Sequence, residues 1–386
     1  MPVRATKRGD ERTRLERDCD VLVCGASFAG LAVARELAGS GARVLIVDRY
    51  EIGERQTSAC AIPTLWLEAM ELMGSLRQTF EDLVVHTPYT TARWPLPWSF
   101  STFDYRELCA LMWEQAACPE LEFETATVTG RSGRTVHTDR GDLSAPLIVD
   151  ALGWRRVLSN ATPIQPPDAP LSRGLEVHPA GLGEDLEIWI DAGYVRSGYS
   201  WCFPARDELR IGVGSFWPSH HVKEPTVRLA QDLGAAPDGY QGNWIPHRLR
   251  AAVEDGVFFA GDSAGHCLPL TAEGIRTAIY FGLACGREVR AVVERDRTRE
   301  RALATYGAFS DSHERKYRWL LNVQRGVGRL TPSRLVTAMV IATASRRVAH
   351  WSFGNYLAIA PPTFVAAGGR GIAPGARSAP RLLDAS

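Results

Sequence analysis

No stretch of the chain approaches the roughly 20 consecutive apolar residues that span a bilayer. The longest candidate, Leu335 to Ala344, is too short. Charge of one sign is also lacking: basic and acidic side chains number 44 each, for a net charge of zero. Phosphate backbones are held by a basic excess, so nucleic acid is excluded as a partner. The eight cysteines (19, 24, 60, 109, 118, 202, 267 and 285) include no CxxC and no Cys/His cluster at zinc spacing. No metal site is expected, and the adjacent His220 and His221 read as a surface pair. Cysteines scattered in this way suit a reduced, cytoplasmic protein that uses them as small core hydrophobes. Met1 to Asp20 is highly charged and has no apolar run, so it reads as neither signal peptide nor membrane anchor.

What is present suits a two-domain globular protein. The length of 386 residues allows two domains of ordinary size and a large core. The hydrophobic share is 45% and the charged share 23%, a globular balance. Eleven tryptophans stand out. Side chains of that size fill cores, and they also line apolar ligand cavities.

Asp20 to Cys24 is an apolar run of the buried-strand kind, followed at once by Gly25-Ala-Ser-Phe-Ala-Gly30. Leu31 to Ala38 reads as a helix, stopped by Gly39-Ser-Gly41. Ala42 to Val47 is a second strand and ends at Asp48. This is a βαβ unit with a glycine turn at its first switch and an acid after its second strand. Gly25 allows the tight turn, and Gly30 lets helix and strand pack closely. The helix start offers free N–H groups and a positive dipole to a pyrophosphate. Asp48 is placed to accept from a ribose diol. Ser27 stands where the pattern has its middle glycine, and a residue that small still permits close approach.

A second motif lies far downstream. Val257 to Ala260 is an apolar strand that runs into Gly261-Asp262-Ser-Ala-Gly265-His266, then a proline loop, then Gly274-Ile275 opening a helix expected to run from about Arg276 to Cys285. Asp262 can bind ribityl hydroxyls of a flavin. The helix start near Gly274 can stabilise the N1/C2 edge of the ring, which gains negative charge on reduction. The pair of motifs, with Asp104-Tyr-Arg106 opening a helix and Leu147 to Gly153 as a strand ending in an acid, resembles the FAD-binding fold of the para-hydroxybenzoate-hydroxylase superfamily. There an arginine at the place of Arg106 contacts the FAD phosphates. Read alone, Arg106 would be a solvated helix charge.

Tyr199-Ser-Trp201-Cys-Phe203-Pro204 followed by Gly212-Val-Gly214 is similar to the YxWxFP…GxG signature of geranylgeranyl reductases. Gly242 to Pro246, Thr57 to Pro63 and Thr271-Ala-Glu-Gly274-Ile275 also resemble that family, with Ala61 and Ala272 standing where it has glycine. Family-like features run from about residue 18 to 290. The resemblance implies cofactor contacts at Gly25, Ser27, Phe28, Ala29, Gly30, Asp48, Arg49, Cys60, Ala61, Arg106, Val128, Asp262, Gly274 and Ile275. It makes Cys60 a candidate catalytic residue near the flavin, with a small packing residue as the other reading. His266 is expected to support the loop rather than to donate a proton.

Residues 186–190, 193–203 and 208–216 alternate with period two, with a turn at Ala205 to Glu208. They predict an antiparallel sheet unlike the flanking α/β segments. Tyr199, Trp201 and Phe203 share one face. Two readings are open for it: core of the sheet, or wall of an apolar pocket over the flavin. The candidate substrate-binding residues are Tyr199, Trp201, Phe203, Pro204 and Trp244, with Trp66, Trp217 and the Arg93 to Trp98 segment assigned to the same domain.

The expected fold is therefore α/β plus antiparallel β. A Rossmann-like FAD-binding domain (18–65, 100–157 and 252–305) carries an inserted substrate domain (66–99 and 158–251). A charged extension (1–17) precedes it; a C-terminal helical segment (306–366) and a disordered tail (367–386) follow. Glu294 to Arg301 reads as a solvated helix face. The resemblance implies an FAD-dependent reductase of C=C bonds in an isoprenoid or other lipid-like substrate, with hydride delivered from flavin N5. No second glycine-rich βαβ is present for NAD(P)H. The reductant is then transiently bound NAD(P)H or reduced ferredoxin. The alternatives are an FAD-dependent monooxygenase acting on an apolar or aromatic small molecule, and a non-redox cyclase-like or flavin-binding protein. Flavin halogenases need a catalytic lysine between the first motif and the sheet, and the lysines here are Lys7, Lys223 and Lys316 alone. The partner expected is an apolar lipid-like molecule. The 319–365 stretch either caps the pocket or rests on a bilayer as a peripheral contact.

Overall fold

Strands that are apolar at every position need cover on both faces, and the first sheet supplies it. The computed structural model of the protein describes residues 13–56, 58–329 and 334–366. Most of the 1–17 extension, Thr57 and the 367–386 tail lie outside the described residues.

The strands in chain order are β1 (Val21–Cys24), β2 (Val44–Asp48), β3 (Ala61–Pro63), β4 (Leu76–Thr87), β5 (Thr90–Phe103), β6 (Leu121–Thr125), β7 (Val128–Ser132), β8 (Thr135–Thr138), β9 (Gly141–Ser144), β10 (Leu147–Asp150), β11 (Leu171–Val177), β12 (Leu186–Trp189), β13 (Gly198–Ala205), β14 (Glu208–Ser215), β15 (Gln241–Pro246), β16 (Val253–Glu254) and β17 (Val257–Phe259). The helices are α1 (Phe28–Leu37), α2 (Thr64–Ala69), α3 (Tyr105–Ala116), α4 (Lys223–Asp232), α5 (Ile275–Val293), α6 (Arg299–Asp311), α7 (Glu314–Arg329), α8 (Arg334–Thr343), α9 (Arg346–Leu357) and α10 (Thr363–Ala366).

The first sheet has the order β16-β17-β10-β1-β2-β6. Its strands come from three separated stretches of the chain and are parallel, apart from the antiparallel edge β16. The second has the order β15-β11-β14-β13-β12-β4-β5-β3 and is antiparallel except where β12 runs parallel to β4. A three-stranded meander, β7-β8-β9, stands apart. The expected break at 99/100 falls inside β5, whose C-terminal part pairs with β3 in the second sheet. The expected 193–203 strand starts only at Gly198 and runs to Ala205, because Asp191 accepts from the N–H groups of Gly193, Tyr194 and Val195 and turns the chain there. Arg206 and Asp207 make the tight turn to β14, with Arg206 at φ 64°.

Helix α5 lies against α1 and is longer than expected, reaching Val293. Glu294 to Arg301 is thus not one helix face: Arg295 turns to φ 64° and Thr298 caps a new helix, α6, by accepting from the N–H of Arg301. Two buried arginines of α5 hold the C-terminal segment. Arg276 donates to the carbonyls of Leu357 and Ala360, and Arg287 to those of Phe364 and Val365. They hold carbonyls at the end of α9, in the loop that follows it and in α10.

The turn between β1 and α1 depends on its glycines. Gly25 sits at φ 111°, and a Cβ on Gly30 would lie 1.8 Å from the Gly25 carbonyl oxygen. Gly30→Ala must therefore push the turn apart. We expect a loss of about 1–3 kcal/mol in denaturant unfolding, typical of overpacking. A variant with the wild-type midpoint would contradict the close approach.

Candidate functional site

The first motif folds as a cradle with exposed donors. The N–H groups of Phe28, Ala29 and Gly30 receive no partner among the described residues, and the first helical bond is from Leu31 to Ser27. No acidic side chain lies in that first turn. Ser27 Oγ is 3.2 Å from the Tyr105 hydroxyl. Phe28 packs edge-on to Phe103 and Tyr105, and Ala29 against Gly261. Asp48 clamps the turn directly: one oxygen accepts from the Ala26 N–H at 2.8 Å and the other from the Tyr50 N–H at 3.1 Å. Each oxygen keeps a second lone pair for a ribose hydroxyl. Burial raises the Asp48 pKa, partly offset by these two N–H groups. Arg49 is exposed and lies over the Tyr50 ring, while Val128 opens β7 with its side chain in the core.

Two charged side chains at this edge have no hydrogen-bond or ion-pair partner among the described residues. Arg106, exposed in the first turn of α3, makes no hydrogen bond or ion pair among the described residues. Gly53, at φ 72°, lets its backbone approach the Arg106 backbone closely. The Asp262 carboxylate accepts no hydrogen bond among the described residues, and burial pushes its pKa up to about 6 against the pull of Arg250. It faces Gly274, the N-cap of α5, where a Cβ would stand 3.6 Å from its Oδ1. Ile275 is buried as the first helical residue.

Around these groups the backbone adopts left-handed angles at residues other than glycine. Cys60 has φ 54°, Leu270 71° and Ala272 52°. Such positions cost of order 1–3 kcal/mol each and persist only where the surroundings enforce them. Ala272 keeps a backbone shape that glycine adopts readily, whereas Ala61 is the first residue of β3. The Cys60 thiol is buried, donates to the Ser58 carbonyl at 3.2 Å, and is held protonated by burial, which pushes its pKa well up. His266 is stacked on Phe281 and buried, and burial lowers its pKa well below the usual value. It is a neutral loop support.

Tyr199, Trp201 and Phe203 do share one face of β13, half-buried, while Ser200 and Cys202 turn inward. Their rings touch in sequence, Tyr199 to Trp201 at 5.9 Å and Trp201 to Phe203 at 6.4 Å. Trp201 lies flat over β14, where a Cβ on Gly212 would be 2.2 Å from its ring. That is the physical content of the GxG beside YxWxFP. The Tyr199 hydroxyl donates to the Thr271 carbonyl, tying the aromatic row to the loop that leads to Gly274. Pro204 is buried at the end of the strand. Trp244 sits apart from the row, edge-on to Trp154 and beside Arg173. Trp66 is in the main core with its Nε1 donating to the Ala360 carbonyl, and Trp217, just after β14 of the second sheet, is exposed. His220 stacks on Trp217, and no group of metal-ligating side chains forms among the described residues.

A buried network that sequence reasoning missed lies beside this row, on the same face of the sheet. Glu176 accepts from Trp201 Nε1 at 3.1 Å, from His178 Nε2 at 2.9 Å and from Gln241. His178 Nδ1 meets Glu208 at 3.1 Å, and Glu208 accepts from Arg210 at 3.0 Å. Arg210 then donates to the carbonyls of Ala59 at 2.8 Å and Cys60 at 3.3 Å. The visible signal was polar pairs two residues apart, Glu176 with His178 at the end of β11 and Glu208 with Arg210 at the start of β14.

Residues 18–121 match the family described as FAD binding domain. That segment of the chain is similar to FAD-binding domains. A digeranylgeranylglycerophospholipid reductase of Methanosphaera stadtmanae is 24% identical over 342 residues, covering 77% of this chain and 83% of the relative. An aklavinone 12-hydroxylase of Streptomyces peucetius is 24% identical over 365 residues, covering 75% of this chain and 71% of the relative. Among solved structures, a geranylgeranyl bacteriochlorophyll reductase-like protein from Thermoplasma acidophilum superposes with a TM-score of 0.74 at 16% identity, over 90% of this chain and 98% of that one. The fold of the FAD-binding domain and its attached sheet is thus the para-hydroxybenzoate-hydroxylase-like one. The unpartnered N–H groups of α1, the unpaired Arg106 and the unbonded Asp262 fit a pyrophosphate and a hydroxylated chain.

The network carries a pH signature. Burial lowers the His178 pKa, but hydrogen bonds and charge from Glu176 and Glu208 outweigh it, and the net shift is upward. Glu208 is held far below the usual carboxylate range by His178 and Arg210, against burial. A raised histidine stabilises the fold fully below the ordinary value of about 6.5 and loses that contribution as pH climbs through the folded pKa. In urea unfolding between about pH 5 and pH 9, the stability gap between wild type and His178→Gln should be widest at the acid end and shrink with rising pH. A gap independent of pH would mean that His178 is not charged.

Proposed function

We propose that the chain is an FAD-dependent oxidoreductase that reduces C=C bonds of an isoprenoid or other lipid-like substrate. The observation that carries the reading is the row Tyr199, Trp201 and Phe203: apolar, half-buried, and bonded through Tyr199 to the loop that opens α5. The reductase names of the relatives support it. Bound reduced flavin would supply the hydride, recharged by NAD(P)H or a ferredoxin as a transient donor.

The chain's own residues do the rest. The N–H groups of α1 and Arg106 hold pyrophosphate; Asp48 and Asp262 accept from hydroxyls. Gly25, Ser27, Gly30, Cys60, Ala61, Gly274 and Ile275 shape the backbone against the cofactor. The aromatic row and Pro204 exclude water and orient the alkene, which lowers the barrier through positioning. Cys60 is a neutral thiol at a strained turn whose one S–H is given to the Ser58 carbonyl, so its part is to shape the loop. His266, buried and neutral, is not the proton source.

A monooxygenase acting on an aromatic or apolar molecule is the second reading, favoured by the aklavinone hydroxylase relative. Anaerobic reduction of the purified flavoprotein followed by addition of a geranylgeranyl lipid separates the two. We expect the flavin to reoxidise without oxygen and the product to gain two hydrogens per bond. Reoxidation that requires oxygen, with a product one oxygen atom heavier, would overturn the reductase reading.

A further inference from the structure

The zero net charge is a cancellation. Residues 315–366 contain eight Lys or Arg and no Asp or Glu, so the rest of the chain has 36 basic against 44 acidic side chains. The excess is displayed outward. On α7, Arg318, Arg325 and Arg329 are exposed at spacings of seven and four, which puts them on one helix face, with Arg315 and Trp319 beside them. Of the arginines in 315–366, only Arg318 has an acidic partner among the described residues, and that pair with Glu314 is exposed and open to screening.

Helices α8 and α9 pack on each other and on β5. Their inner faces are accounted for. Val336 and Val340 are buried against Val85 and Ala92, Trp94 donates to the Val340 carbonyl, and Phe353 packs edge-on to Trp94 and Trp98. Their outer faces are not. Trp351 is 70% exposed, Ile341 55% and Met339 49%, with Arg334, Arg346 and Arg347 exposed among them. Large apolar side chains standing in water alternate with unpaired cations over two adjacent helices. No helix among the described residues is long and apolar enough to cross a membrane.

We infer that the outer face of α8 and α9 docks on an anionic lipid bilayer. The occupant follows from charge and shape. Arginines reach phosphate headgroups, while Trp351, Ile341 and Met339 enter the headgroup–acyl boundary, the arrangement of a helix lying in the interface plane. A nucleic acid or an acidic protein would use the cations and leave the apolar side chains unused. The inner face carries Phe353 onto Trp94 and Trp98, so the docked helices adjoin an aromatic wall. The inference does not depend on the reaction, because vesicles of ordinary phospholipid test it alone.

The FAD-loaded full chain is sedimented with vesicles of phosphatidylcholine, and with vesicles that also contain phosphatidylglycerol. The protein should pellet with the anionic vesicles, stay in solution with phosphatidylcholine alone, and lose binding as salt is raised. Arg346→Gln with Arg347→Gln should weaken partitioning about tenfold or more. Trp351→Ser should weaken it several-fold at unchanged charge. Circular dichroism and flavin content of both variants should match wild type. Absence of pelleting with the anionic vesicles, or pelleting that Trp351→Ser leaves unchanged, overturns the inference. So does a duplex DNA that binds as tightly as the vesicles and is indifferent to Trp351→Ser, which would assign the face to polyanions.

Discussion

The buried chain of charge from Glu176 through His178 and Glu208 to Arg210 is the constraint on which the site depends. It is built on β11, β14 and β15 of the second sheet, on the face that carries the aromatic row, and its two ends touch the parts that matter most. At one end Glu176 holds the indole N–H of Trp201, which fixes the ring over Gly212. At the other, Arg210 grips the Ala59 and Cys60 carbonyls and so holds a turn whose Cys60 backbone is left-handed. Removing one member would leave a charge buried without its partner, the costly case. The network therefore sets the aromatic wall and the Cys60 turn in one frame.

The other side of the site is built on the same plan. Tyr199 donates to the Thr271 carbonyl, next to Ala272 with its left-handed backbone. Glu273 pairs with the buried Arg276, which in turn holds carbonyls at the end of α9. Two strained turns are thus pinned from the sheet and from the C-terminal helices. Strain of this kind persists only when the surroundings over-determine it, and these hydrogen bonds are what over-determine it.

Local chemistry was legible in the sequence; long-range pairing was not. The turn from Gly25 to Gly30, the acid Asp48 and the glycine start of α5 could be read because each needs one residue type at one spacing. The shared face of Tyr199, Trp201 and Phe203 followed from a period of two. Trp66 could not be placed, because its hydrogen-bond partner Ala360 is 294 residues away. Glu176 and His178 meet Glu208, Arg210 and Gln241 only once β11 pairs with β14 and β15. The Glu294 to Arg301 charges misled for a local reason: Arg295 in the left-handed region and the Thr298 cap break the helix there. The discontinuity at β3 and β5 also depends on pairing across the chain rather than on composition.

The grip of Arg210 on the Cys60 turn is tested by the affinity of Arg210→Lys for FAD. Lysine keeps a cation beside Glu208, but it lacks the planar fork that reaches the carboxylate and the two carbonyls together. The variant should fold with a near-wild-type unfolding midpoint and show an FAD dissociation constant raised about tenfold, the loss of roughly one charge-assisted hydrogen bond. An FAD affinity unchanged in that variant would contradict it.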